Sequence, residues 1–104
     1  VSPVTVVIAY MAQPGKEAAA REALDALIAT VVESEPDCLG IRFYQDPEAP
    51  GRMLLDEQWT SVEAYFGPHF ETPHIRAFIA GAADLFAGPP EIRTWALVAE
   101  YRQP

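Results

Sequence analysis

Basic residues are scarce in this chain: seven Lys and Arg stand against fifteen Asp and Glu, a formal net charge of −8. That balance argues against nucleic acid and anionic membrane surfaces as partners, since both are bound through basic patches. No apolar run approaches the length of a membrane span, and no signal-peptide pattern opens the chain. The first residue is Val1 rather than Met, as expected after processing or trimming. Cys38 is the single cysteine, so no intrachain disulfide forms, which fits a reducing, cytoplasmic setting. No Cys or His group has structural zinc spacing. His69 and His74, with Glu71 between them, supply too few ligands for a metal site, and none is expected. A Gly-rich phosphate loop and a dinucleotide fingerprint are both missing, because Gly15 stands alone. These gaps disfavour a flavin or nicotinamide enzyme. No order of Ser, His and Asp supports a hydrolytic triad.

Half of the residues are apolar and 104 residues suffice for one core, so a single domain over 1–104 is expected. Val4 to Ala12 is rich in β-branched residues and reads as a first strand. Lys16 to Ser34 reads as a helix with the stripe Ala20, Ala23, Leu24, Leu27, Ile28 and Val31. Glu35-Pro36 ends it, since a residue before proline avoids helical backbone angles. Leu39 to Gln45 is a second strand, with Leu39, Ile41 and Phe43 on one face. Asp46 to Gly51 is the turn into a third strand ending at Trp59. Pro73 to Phe86 is a second long helix that Gly88-Pro89-Pro90 closes, and Glu91 to Tyr101 a fourth strand. The order β-α-β-β-α-β predicts an α+β, ferredoxin-like fold with a four-stranded antiparallel sheet and helices on one face.

The uncovered sheet face is expected to need a partner. In the first strand Val4, Val6 and Ile8 oppose Thr5, Val7 and Ala9, so both faces are largely apolar, and Met53-Leu54-Leu55 is similar. A second copy of the chain, sheet face to sheet face, would cover such a surface, so a homodimer is predicted.

Candidate site residues gather between Glu57 and Phe78. Period two places Met53, Leu55, Glu57 and Trp59 on one strand face. A buried Glu57 would need a partner, which Arg42 or Arg93 could supply. Thr60 with Glu63 reads as a capping box, Gly67-Pro68 as a helix stop, and Thr72-Pro73 as a helix restart. His69 then falls in the break and His74 in the first turn of the new helix. There the helix dipole keeps an imidazole neutral and able to accept a proton. Neither histidine lies on an apolar stripe, so replacing either is expected to cost little stability.

Glu57-x-Trp59, Glu63-Ala64, His69 and Thr72-Pro73-His74 with Phe78, preceded by Pro14-Gly15-Lys16-Glu17 and Glu35-Pro36-Asp37-Cys38-Leu39, resemble the antibiotic biosynthesis monooxygenase family. The resemblance runs from about Val4 to Tyr101. Asp37 departs from it, since the family usually has glycine after Glu-Pro. The resemblance implies a dimeric α+β barrel with a pocket inside each protomer, between the sheet and its helices. It also implies oxygenation of a quinol or polycyclic phenol by dioxygen without a cofactor. On that reading His74 or His69 is the general base, with His74 preferred, and Trp59, Tyr65, Glu57 and Phe78 contact the small aromatic substrate. Two other readings remain. One is a non-catalytic dimeric ligand-binding or regulatory module. The other is a haem-degrading relative, whose Asn, Trp and His positions are Ile8, Pro68 and Phe78 here.

Overall fold

The computed structural model describes residues 3–104. The expectation attached to Val1, and the first two residues of the predicted domain, lie outside them. Four strands, β1 (Val4–Met11), β2 (Cys38–Gln45), β3 (Arg52–Trp59) and β4 (Glu91–Trp95), form one antiparallel sheet in the order β2-β3-β1-β4. Helix α1 (Glu17–Ser34) and helix α3 (Pro73–Gly81) pack with each other beneath it. Between β3 and α3 lie a short helix, α2 (Val62–Ala64), and a π-helical turn, Tyr65–His69. This is the predicted ferredoxin-like α+β fold.

Alternation sets the two sheet faces. Val4, Val6 and Ile8 of β1, with Met53, Leu55, Glu57 and Trp59 of β3, all point inward and are buried. Ala20, Leu24 and Val31 of α1 meet them, three members of the predicted stripe. Glu35 leaves the helix with extended angles (φ −112°, ψ 99°) ahead of Pro36, as the proline dictates. Asp37 needs no left-handed backbone, because no non-glycine residue among the described residues has positive φ.

Several local expectations are corrected. Ser61, not Thr60, caps α2: its Oγ accepts from the Ala64 N–H at 3.0 Å. Thr60 is occupied elsewhere, its N–H and Oγ1 donating to the backbone and side chain of Asp37. Gly67-Pro68 does not stop the helix. The chain widens into the π turn, which carries Pro68 without pressing its ring on the carbonyl four residues back. Strand β2 bulges between Cys38 and Gly40, so Leu39 turns outward and leaves the face of Ile41 and Phe43. Helix α3 ends at Gly81 and tightens into a 3₁₀ turn, Ala82–Asp84. The Gln13 amide donates to the Ala83 and Phe86 carbonyls there, and Phe86 pairs with Ala12. Strand β4 stops at Trp95 because its last partner, Thr5, is almost the start of β1.

The opposite sheet face, with Thr5, Val7, Tyr44, Leu54 and Trp95, stays open as a shallow groove continued by Leu97 and Val98. Trp95, Leu97, Val98 and Tyr101 are all exposed. No helix among the described residues is long and apolar enough to cross a membrane.

Candidate functional site

The inward sheet face and the helices enclose a cavity of about 520 Å³. Its wall is mostly hydrocarbon, from Ile8, Leu27, Ile28, Leu55, Ile75 and Phe78 among others. Four side chains bring polar atoms to it: Tyr10, Glu57, Tyr65 and His69. A large apolar pocket with a few convergent polar groups is the usual form of a small-molecule site.

Glu57 is held by its own strand. It is 4% exposed, and Trp59, two residues on and on the same face, donates its indole N–H to Oε1 at 2.8 Å. The expected arginine partners are elsewhere. Arg42 sits opposite Asp56 in the β2–β3 register, and Arg93 pairs with Glu91 on the surface. A single neutral donor does not offset the loss of water, so burial raises the Glu57 carboxyl to about 7, against the lowering effect of the indole bond. Glu57 in turn acts on its neighbours. Burial first, and the Glu57 charge second, raise the Tyr10 and Tyr65 hydroxyls far above the ordinary tyrosine value.

His69 comes to the cavity from the π turn. It stacks on Tyr65 with 5.0 Å between centroids and meets the Trp59 ring edge-on at 4.6 Å. Its Nδ1 lies 2.8 and 3.0 Å from the two oxygens of Glu35, which is itself buried. His74, in the first turn of α3, places Nε2 2.6 Å from Glu35 Oε2. Thr72 caps that helix as predicted, accepting from the Ile75 N–H and donating to the His69 carbonyl. Among the described residues every sealed side-chain nitrogen and oxygen has a hydrogen-bond partner. His69 Nε2 makes no such bond, so it is not sealed, and His69 is one of the residues that line the cavity. Burial lowers the affinity of His69 for a second proton, and the Glu35 contact only partly opposes that.

The structure therefore divides the predicted site. Glu57, Tyr65, His69 and Phe78 line the cavity. Trp59 stands behind them, holding Glu57 and packing on His69. His74 is not in the cavity wall; its ring meets the buried face of Glu35 instead. His69 is only 4% exposed and paired, which removes the ground for expecting that it could be replaced at little cost to stability. Two residues were missed. Tyr10 shares the face of Ile8 by simple alternation, a signal present in β1. Glu35 reads locally as a helix end, and its partners lie 34 and 39 residues away.

No set of three His, Cys, Asp or Glu side chains among the described residues is arranged to hold a metal ion. Ile8 and Phe78 present hydrocarbon to the cavity.

Known proteins share this fold. The Rv0793 protein of Mycobacterium tuberculosis superposes with a TM-score of 0.82 at 28% identity, over 97% of this chain and 100% of that one. The PA3566 protein of Pseudomonas aeruginosa gives 0.84 at 27% identity, over 95% and 97%. An uncharacterised Synechocystis protein, sll1783, is 35% identical over 78 residues, 72% of this chain and 52% of that protein. The chain thus spans about half the length of that relative. Residues 3–81, which carry β1 through α3 and with them both histidines, Glu35 and the Glu57–Trp59 pair, match a single family across their whole extent. The chain belongs to the antibiotic biosynthesis monooxygenase family.

Proposed function

We propose that the cavity binds a quinol or polycyclic phenol and oxygenates it with dioxygen, without a cofactor. The observation that carries this reading is a hydrocarbon-walled cavity whose wall also holds His69, Glu57, Tyr10 and Tyr65. In an anthrone-type substrate a CH₂ group is acidified by the flanking aromatic rings. His69 takes one of its protons. The resulting anion passes an electron to dioxygen, the two radicals join as a peroxide anion, and the proton held by His69 converts it to a hydroperoxide. Loss of water from the hydroperoxide leaves a carbonyl. One oxygen atom enters the substrate, the other leaves as water, and all the electrons come from the substrate. The wall excludes water and holds the ring, which favours the delocalised anion.

His69 serves as base better than His74 in this reading. It lines the cavity with its Nε2 unbonded, whereas Nε2 of His74 is engaged with Glu35 outside the wall. Burial also keeps His69 unprotonated and ready to accept. Glu57, with its carboxyl near 7, is placed to hydrogen-bond a substrate hydroxyl. The exposed apolar residues of the opposite sheet face, Trp95, Leu97 and Val98, support a homodimer joined through that face.

The test is oxygen uptake with a panel of anthrones and quinols, followed by ¹⁸O₂ labelling of the product. Uptake with one labelled atom per product supports the reading. Tight binding of the panel with no uptake sinks it in favour of a ligand-binding module.

A further inference from the structure

The third member of the histidine cluster has no part in the chemistry above. Glu35 follows the last residue of α1, and its carboxylate is enclosed by rings from two other elements, His69 of the π turn and His74 of α3. An ionised carboxylate only accepts hydrogen bonds, and a neutral imidazole has one N–H. Each ring must therefore spend its N–H on Glu35. His69 is left with a bare lone pair at Nε2, and His74 with a bare Nδ1 away from Glu35.

We propose that Glu35 is a positioning residue, which holds His69 in the tautomer that presents a bare Nε2 to the cavity, and that His74 tunes His69 through the carboxylate the two rings share. This inference rests on the reading of His69 as the base. Without Glu35, His69 is free to place its hydrogen on Nε2 and face the cavity as a donor, unable to accept. His74 has 19% of its side chain exposed, so it meets the solvent that His69 does not. A proton on His74 adds positive charge beside Glu35 and opposes a second proton on His69. The other ionisable groups around this cluster are Glu57 on β3, Tyr65 stacked on His69, and Cys38 at the start of β2, which senses both Glu35 and Glu57. None of these touches Glu35 by a side-chain hydrogen bond among the described residues.

Ring ¹⁵N chemical shifts of the two histidines in the whole protein test this without any substrate. The expected wild-type result is Nδ1–H on His69 and Nε2–H on His74. In Glu35→Gln one arm of the side chain becomes a donor and the carboxylate charge is lost, so the hold on the two ring N–H groups weakens, and the titration midpoint of His69 should fall. In His74→Asn that midpoint should rise. Nε2–H on His69 in the wild type overturns the proposal, as do unchanged midpoints in both variants. Should Glu35→Gln fail to fold, the wild-type tautomer and the His74→Asn shift still decide. Kinetics supply the second arm. Glu35→Gln should lower kcat by about 10²-fold or more with KM little changed, the loss expected when a general base is wrongly presented. If the ring shifts follow expectation but His69→Gln turns over at the wild-type rate, the positioning by Glu35 stands and the base assignment fails.

Discussion

Tyr65 and His69 stack at 26° between ring planes, their centroids 5.0 Å apart, on one side of a single π turn. The turn exists because Pro68 would press against the backbone of a regular α-helix. It brings both rings to the cavity, where one offers a hydroxyl and the other a ring nitrogen.

The two histidines should separate in kinetics. His69→Gln is expected to lower oxygen uptake by about 10²- to 10⁴-fold, the range for loss of a general base. His74→Gln should have a smaller effect, because His74 does not reach the cavity. Steady-state rates on any accepted substrate check this, and equal losses in the two variants would sink the assignment.

His69→Ala should also destabilise the fold. It removes one of the two ring donors to the buried Glu35 and opens space among Trp59, Tyr65 and Phe70. A cost of about 1–3 kcal/mol follows from leaving a buried polar group short of a partner. Urea unfolding with an unchanged m-value measures it.

Glu57 should make stability depend on pH. Its folded carboxyl sits near 7, above its ordinary value of 4.5, so the native state holds the proton more tightly than the unfolded chain. Stability contributed by that group is full below the unfolded value and is lost as pH rises through the folded one. The loss should total on the order of 3–4 kcal/mol between those limits, at about 1.4 kcal/mol for each pH unit. Glu57→Gln, which keeps an acceptor for Trp59, should flatten this slope. Chemical denaturation from pH 4 to 8 decides, and parallel profiles in the two proteins would refute it.

The open sheet face should be covered in solution. Trp95 and its exposed neighbours form the apolar surface, and a stable interface buries more than about 1,000 Å² in total. Sedimentation should give a dimer for the wild type and a monomer for Trp95→Glu. A well-folded wild-type monomer at micromolar concentration would refute the dimer.

Ser61→Ala should cost about 1 kcal/mol, the usual loss of a helix cap, through the bond to the Ala64 N–H. Thermal unfolding of the single variant measures it directly.

Local sequence determined much of this protein by itself. Alternation placed Met53, Leu55, Glu57 and Trp59 on one buried face, the helical stripe buried Ala20, Leu24 and Val31, and Thr72-Pro73 started α3. These features depend on side-chain period and on backbone sterics, which act between near neighbours. Tertiary structure decided the rest. Thr60 lost its capping role because Asp37, from the entry to β2, took its hydroxyl. Glu57 found an indole rather than an arginine, because Arg42 lies on the register position of Asp56 and not of Glu57. The choice between His69 and His74 rests on which ring reaches the cavity, and Glu35 joins them only once α1 packs on α3. A carboxylate 34 residues from its partner carries no periodic signal, so only the packed fold can bring the pair together.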